Sequence, residues 1–446
     1  MKRNAFRLAL AGATMLAGLG TAMTWSAPAA AQAGQAALRG VIRSAPDNPV
    51  QDVTLVEVGS GFRRTVVPGA DGSYNFPSLR AGAYRLEIRL QKGTRNSDQF
   101  TLRVGQNAGL DLDLTTAPAP AQPAPADNTA GETAPPPAEA QEGDIIVTGS
   151  RIRSLSGGQV GINITPRLIE QLPQNSRNFL AFADLAPGVR FIESADGSSR
   201  IQGGAQGTNS VNVFIDGVSQ KDYVLRGGLT GQDSSPGNPF PQLAIGEYQV
   251  LSSNYKAELD QVGSVAVIAG TKSGTNEFHG EGFFDFTNQN LRERRPTEIF
   301  PNKIAKVASE DKQFGVALGG PIVKDVAHFF VSYEGKRRQV PIDILPGNGT
   351  AVSSLPAQYR DIFGSYNSDF RQDLYFGKLD VEPTDKDLIE LTAKYRNESG
   401  RQIGNGIAAY STATLTKVEE KRGMLRWQHS EEKWINDFRV SYEDVA

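Results

Sequence analysis

Phe314-Gly315-Val316-Ala317-Leu318-Gly319-Gly320-Pro321-Ile322, the join Val323-Lys324-Asp325, and His328-Phe329-Phe330-Val331-Ser332-Tyr333-Glu334-Gly335 together decide the fold. Phe329, Val331 and Tyr333 alternate with Phe330, Ser332 and Glu334, a period of two that puts different chemistry on the two faces of a strand. Two such runs separated by so short a join form an antiparallel hairpin. The pattern recurs from residue 277 onward, in seven segments in all. Phe284 and Phe286 face away from Glu281, Phe283 and Asp285. Tyr375, Leu379 and Val381 oppose Lys378 and Asp380, and Ile389, Leu391, Ala393 and Tyr395 oppose Glu390, Thr392, Lys394 and Arg396. Leu425 and Trp427 oppose Arg426 and Gln428, and Trp434, Phe438, Val440 and Tyr442 oppose Asp437, Arg439 and Ser441.

Alternation also describes a water-soluble sandwich, so connection length has to discriminate. Joins near 323–325, 382–387 and 430–433 are short, while those at 289–311, 339–373 and 397–420 are long. Short and long joins in strict alternation are expected of a transmembrane barrel, with tight periplasmic turns and long extracellular loops. The first join is long, as it should be for a strand that rises from the periplasmic side. Trp427 and Trp434 are then interfacial residues rather than a sugar platform.

Composition agrees. Lys and Arg total 46 against 49 Asp and Glu, a formal net charge of -3, which gives nucleic-acid binding no support. A hydrophobic content of 39% is low for a bundle of membrane helices. Lys2, Arg3 and Arg7 precede an apolar stretch from Leu8 to Trp25 and an Ala-Gln-Ala at 31–33, so residues 1–33 read as a secretory signal peptide. With no cysteine, an exported protein has no disulfide framework, and its stability must come from buried sheet.

Residues 36–115 carry short alternating strands between turn signals, a small β-sandwich. Its best-marked piece is Asp71-Gly72-Ser73-Tyr74-Asn75-Phe76, followed by Leu79-Arg80-Ala81-Gly82-Ala83-Tyr84-Arg85-Leu86-Glu87-Ile88. Asp-Gly supplies one tight turn and Ala-Gly-Ala another. This pattern resembles the carboxypeptidase-regulatory-like, prealbumin-type module, a carbohydrate-binding-like fold that serves as an accessory and brings no catalytic residues. Residues 116–143 turn into Pro and Ala, with Pro135-Pro136-Pro137 at the centre; they form an extended, semi-stiff linker.

Next comes Asp144-Ile145-Ile146-Val147-Thr148-Gly149-Ser150. β-Branched residues beside a linker favour strand pairing but have no local partner, so another sheet must supply one. Residues 160–275 follow with an α+β pattern. Thr165-Pro166-Arg167-Leu168 opens a helix with Thr as cap, residues 178–185 give a second amphipathic helix stopped by Pro187-Gly188, and Val211-Asn212-Val213-Phe214-Ile215-Asp216-Gly217-Val218 is a strand with an Asp-Gly turn. The glycines at 203, 204, 207, 227, 228 and 231 lack the Lys-Ser or Lys-Thr of a phosphate loop and are packing or loop glycines. Residues 221–242 are expected at the apex of this region.

The order sandwich, linker, short strand, α+β region and barrel resembles TonB-dependent outer-membrane receptors. Gly270-Thr271-Lys272-Ser273-Gly274-Thr275-Asn276-Glu277-Phe278-His279-Gly280 and the Gly319 to Gly335 stretch resemble their Oar-like branch. The resemblance implies a mainly β chain: an N-terminal prealbumin-like sandwich, an α+β plug domain at 160–275, and the first strands of an antiparallel transmembrane β-barrel at 276–446. It implies a TonB box at 144–150, with Asp144, Ile145, Ile146, Val147 and Thr148 contacting the periplasmic TonB protein and its inner-membrane energising complex. It places the barrel in outer-membrane lipid and the sandwich in the periplasm, with an extracellular ligand, carbohydrate or peptide, still to be identified. Such barrels have about 22 strands; seven are counted here, so the chain is expected to be an N-terminal part of a longer protein. The implied function is energised import, and the rival is an adhesive or envelope-organising barrel.

Nothing in the sequence points to catalysis, a metal or a cofactor. Histidines stand only at 279, 328 and 429, and His429-Ser430-Glu431-Glu432 lacks a third zinc ligand. No Gly-x-Ser-x-Gly elbow is present.

Overall fold

The computed structural model describes residues 34–115, 146–147, 152–155 and 158–446, apart from 175, 195–197, 223–228, 230–234, 257, 295, 300–305, 403–408 and 432–433. The expected signal peptide and Pro/Ala linker lie outside the described residues.

The sandwich is built from two small sheets. One pairs β1 (Ala36–Arg43) with β4 (Ser73–Leu79), β8 (Asn107–Gly109) and β9 (Leu112–Asp113). The other holds β2 (Val50–Glu57), β3 (Arg63–Val66), β5 (Gly82–Leu90), β6 (Gly93–Ser97) and β7 (Phe100–Leu102). Alternation along β5 sends Tyr84, Leu86, Ile88 and Leu90 inward onto Leu38, Phe76 and Leu79 of the facing sheet. The Asp-Gly turn stands where expected. Gly72 has φ +78, and a Cβ there would lie 2.2 Å from the Ile42 carbonyl oxygen, so glycine is required twice over.

The plug centres on a mixed sheet in the order β12 (Val160–Ile164), β17 (Ile245–Ser253), β18 (Val265–Thr271), β15 (Val211–Ile215) and β16 (Val218–Ser219). A separate hairpin joins β13 (Val189–Glu193) to β14 (Ser199–Gly203). Helix α1 (Pro166–Gln171) begins as the sequence indicates, with the Thr165 side chain accepting from the Leu168 N–H. The second helix differs from expectation: Phe179–Leu185 is a 3-10 helix, not an α-helix. Asn178 caps it at Leu180, and the chain leaves the helix at Ala186, before Pro187.

The sheet is buried on both faces, and every residue of β15 is buried. On one side Val213, Ile215, Tyr248, Val250, Val265 and Val267 pack with Phe179 and Phe182. On the other, Phe214, Leu251, Ala266 and Ile268 pack with Val104 of the sandwich.

The remaining strands form one antiparallel sheet in chain order: β19 (His279–Asn288), β20 (Glu310–Val323), β21 (Ala327–Ile344), β22 (Gly364–Thr384), β23 (Asp387–Gln402), β24 (Thr414–Ser430) and β25 (Ile435–Val445). Short turns and long joins alternate as the sequence indicates. The strands run further into the long joins than expected, however, with β21 reaching Ile344 and β22 beginning at Gly364. Register slips between Pro321 and Val323, where the proline has no N–H to give the ladder. The outward face is apolar and exposed at Val316, Val331, Tyr375, Leu391, Leu425, Phe438 and Val440, while Phe330 and Phe376 of the inward face join the plug core.

Candidate functional site

The expected TonB-box segment is caught partly in view. Ile146 and Val147 form β10 and pair in parallel with Asn96 and Ser97 of the sandwich strand β6. Asp144, Ile145 and Thr148 lie outside the described residues. The chain then crosses to the other sheet: β11 (Arg153–Ser154) pairs antiparallel with Gly109 and Ala108 of β8. The Leu155 N–H donates to the Asn107 carbonyl at 2.7 Å, Arg153 ion-pairs with Asp111, and Ile152 packs on the sandwich core. This second attachment was not read from the sequence, since Arg153 and Ser154 carry no strand signal. A short connection leads on to β12, an edge strand of the plug sheet. An edge strand has a ladder on one side only, so it can be withdrawn without breaking two.

The sandwich meets the plug through Val104. Its side chain packs with Phe214, Leu251, Leu259, Ala266 and Ile268 on the second face of the plug sheet, and its N–H donates to the Glu247 carboxylate. Burial pushes the Glu247 carboxyl up from its ordinary range; the Val104 hydrogen bond and the charge of Arg103 offset this only in part.

The sandwich also meets the short-turn end of the barrel sheet. Arg80, at the turn between β4 and β5, donates to Glu57 at 2.8 Å and to Glu382 of β22 at 2.7 Å, and lies 3.6 Å from Asp380. Burial alone would lower the guanidinium's pKa, but Glu57, Asp380 and Glu382 outweigh it and hold Arg80 charged. Gln428 of β24 donates to the Ser78 carbonyl at 2.9 Å, and Arg426 donates to Gln35 at 3.0 Å. Asn276 donates to the Ser60 carbonyl at 3.0 Å.

Plug and barrel are joined by polar contacts at two levels. Nearer the short turns, Arg422 donates to the Ser219 carbonyl at 2.9 Å and Lys378 to Thr271 at 3.3 Å, while Asp216 holds Thr271 through both backbone and hydroxyl. Nearer the long joins, Ser235 donates to Glu398 at 2.6 Å, Asn238 and Gln372 exchange two bonds, and Lys336 donates to the Pro236 carbonyl at 3.0 Å. The second set places 235–238, part of the expected apex, on the loop side. Behind these contacts the inner wall is a buried ionic lattice: Lys378 with Glu390, Arg426 with Glu390 and Asp437, Lys394 with Glu420, and Arg396 with Glu398. Paired charges facing polar plug backbone suit a wall that must hold a plug without fusing to it.

His429 is flanked by carboxylates, Asp387 at 2.7 Å and Glu431 at 3.4 Å. Among the described residues no cluster of three His, Asp or Glu is placed to hold a metal.

Comparison with known proteins follows this layout. Residues 37–115 match the carboxypeptidase regulatory-like domain, and residues 270–346 match the outer membrane beta barrel domain. The chain is 24% identical over 314 residues to the TonB-dependent transporter Oar of Myxococcus xanthus, a match covering 66% of this chain and 26% of that protein. Over that stretch the chain is similar to a TonB-dependent transporter. The chain spans about a quarter of the length of the curated relative it matches. It is similar in structure to the outer membrane transporter YddB of Escherichia coli, at 13% identity, TM-score 0.49, 64% of this chain and 38% of that one. It is also similar to the ferric enterobactin receptor PfeA of Pseudomonas aeruginosa, at 16% identity, TM-score 0.47, 64% of this chain and 41% of that one.

Proposed function

We propose that the protein imports a ligand across the outer membrane, with Asp144, Ile145, Ile146, Val147 and Thr148 taken up as an added strand by a periplasmic TonB protein. The observation that carries this reading is the continuity from β10 through β11 to β12: the segment that offers itself for strand addition leads directly to an edge strand of the plug. In the structure Ile146 and Val147 already add to a sheet edge, the mode of pairing that TonB capture requires. Capture exchanges one strand partner for another. Tension then peels β11 from β8 and reaches β12, whose pairing with β17 is one-sided. The loop-side contacts of Ser235 and Asn238 with Glu398 and Gln372 are the first plug contacts an arriving ligand would perturb.

Calorimetry with the purified C-terminal domain of the organism's own TonB protein tests this reading. The chain should bind, and Ile146→Pro should weaken binding at least tenfold by removing a backbone donor. Absence of binding by the unsubstituted chain, or equal binding by the proline variant, would sink it.

A further inference from the structure

The lipid-facing side of the barrel sheet carries a row of cations that its own chemistry does not justify. Tyr333, Tyr375 and Tyr395 stand side by side on β21, β22 and β23 and mark an aromatic rim on the loop side of the apolar band. Four residues beyond Tyr333, about 13 Å along the strand, Lys312, Arg337 and Arg371 stand directly opposite one another on β20, β21 and β22. With neighbouring strands about 4.8 Å apart, three positive charges fall within about 10 Å. Like charges directly opposite in a sheet repel.

The compensation is thin. Asp373 alone serves both guanidiniums, accepting from Arg337 and, at 3.0 Å, from Arg371 Nε, and it also accepts the Tyr333 hydroxyl at 2.7 Å. Arg337 gives its remaining bonds to the Gln372 and Lys336 carbonyls. Lys312 pairs with Glu310 at 2.7 Å. Among the described residues Arg371 uses only Nε, and its side chain is 63% exposed, so the outer edge of its fork faces the surroundings. Below the rim, Gly377, Ala393 and Gly423 stand in register and leave a low strip between Leu379, Leu391 and Leu425 on one side and Tyr375 and Tyr395 on the other.

We propose that this row binds the phosphate groups of a phosphorylated glycolipid in the outer leaflet, with its acyl chains lying along the low strip. A guanidinium fork matches a phosphate bidentately. A multivalent anion bridging Lys312, Arg337 and Arg371 removes the repulsion that Asp373 and Glu310, two carboxylates for three cations, leave standing. The level fits too, because the row lies just beyond the aromatic rim, where headgroups begin. The assignment rests on the long joins facing outward and is independent of TonB capture.

The test reconstitutes the full chain in phosphatidylethanolamine vesicles doped with diphosphoryl lipid A, with lipid A stripped of both phosphates, or with phosphatidylglycerol. The protein is then extracted in mild detergent and the retained lipid measured by mass spectrometry. Diphosphoryl lipid A should be retained several-fold over the other two, and Arg337→Gln with Arg371→Gln should abolish the difference. Lys386→Gln, which breaks an exposed pair with Glu431 at the opposite end, should leave it intact. Equal retention of the three lipids by the unsubstituted chain overturns the proposal whatever the variants do. So does retention of phosphatidylglycerol equal to that of diphosphoryl lipid A, which marks general attraction to anions, or selectivity that survives in a folded double variant.

Discussion

Arg80 of the sandwich and Glu382 of the barrel strand β22, 302 positions apart in the chain, meet at 2.7 Å with little solvent about them. Asp380 and Glu57 share the same guanidinium. Removing it strands three carboxylates at the junction. Arg80→Met is expected to cost about 3–5 kcal/mol, as does breaking a buried pair from one side. Limited proteolysis should then release the sandwich from the membrane-embedded part well before the barrel strands are cut; an unchanged cleavage order would show that the contact holds nothing.

Glu247 makes the sandwich–plug seam sensitive to pH. Its carboxyl is pushed up by burial, so the ionised form is disfavoured in the folded seam. Stability is therefore lowest above the folded pKa and recovers as pH falls through it toward the ordinary carboxyl range, where folded and unfolded states hold the proton alike. Hydrogen exchange at the Val104 amide should slow between neutral and mildly acidic pH. Glu247→Gln, whose amide oxygen can still accept from Val104, should exchange slowly at both.

Tyr248 lies in the plug core, its ring set edge-on to Phe179 at 5.6 Å and its hydroxyl donating to the Phe179 carbonyl. Tyr248→Phe keeps the packing and orphans that carbonyl. A loss of about 1 kcal/mol is expected, read as a shift in the urea midpoint of plug unfolding without a change in slope.

Gly109 of β8 lies beneath Leu155, whose side-chain carbons stand 3.1–3.2 Å from where a Cβ would be. Gly109→Val should push Leu155 away and loosen β11. Amide exchange at Leu155 should quicken several-fold, and TonB capture of the preceding strand should become easier, not harder. Slower capture would mean that β11 helps present the strand instead of holding it back.

Much of this layout was legible in the chain. Asp71-Gly72 and the alternation of Tyr84, Leu86 and Ile88 suffice for the sandwich, because turn and strand chemistry are local. The hairpin at 323–325 and the rhythm of short and long joins give the barrel sheet for the same reason. The ends of the long strands were not legible, because Pro341 and the polar run Asn367-Ser368-Asp369 read as loop signals. The 3-10 form of Phe179–Leu185 escaped because its apolar residues fit either helical period over so short a run. The segment expected to be a TonB box showed a need for a partner, but not that Asn96 and Ser97 pair with its Ile146 and Val147. Arg80 was invisible as a site, since an arginine at a turn looks solvated until a distant strand brings up its carboxylates.

The plug sheet has no wet side. If the sandwich swings away while the plug stays seated, Val104 and Ala81 are withdrawn from the cluster of Phe214, Leu251 and Ile268, and apolar surface is uncovered at about 25 cal/mol per Å². The sandwich and the sheet beneath it thus behave as a bonded laminate: small pulls leave it whole, and a pull large enough to split it exposes a greasy surface all at once, turning a graded force into a yes-or-no event.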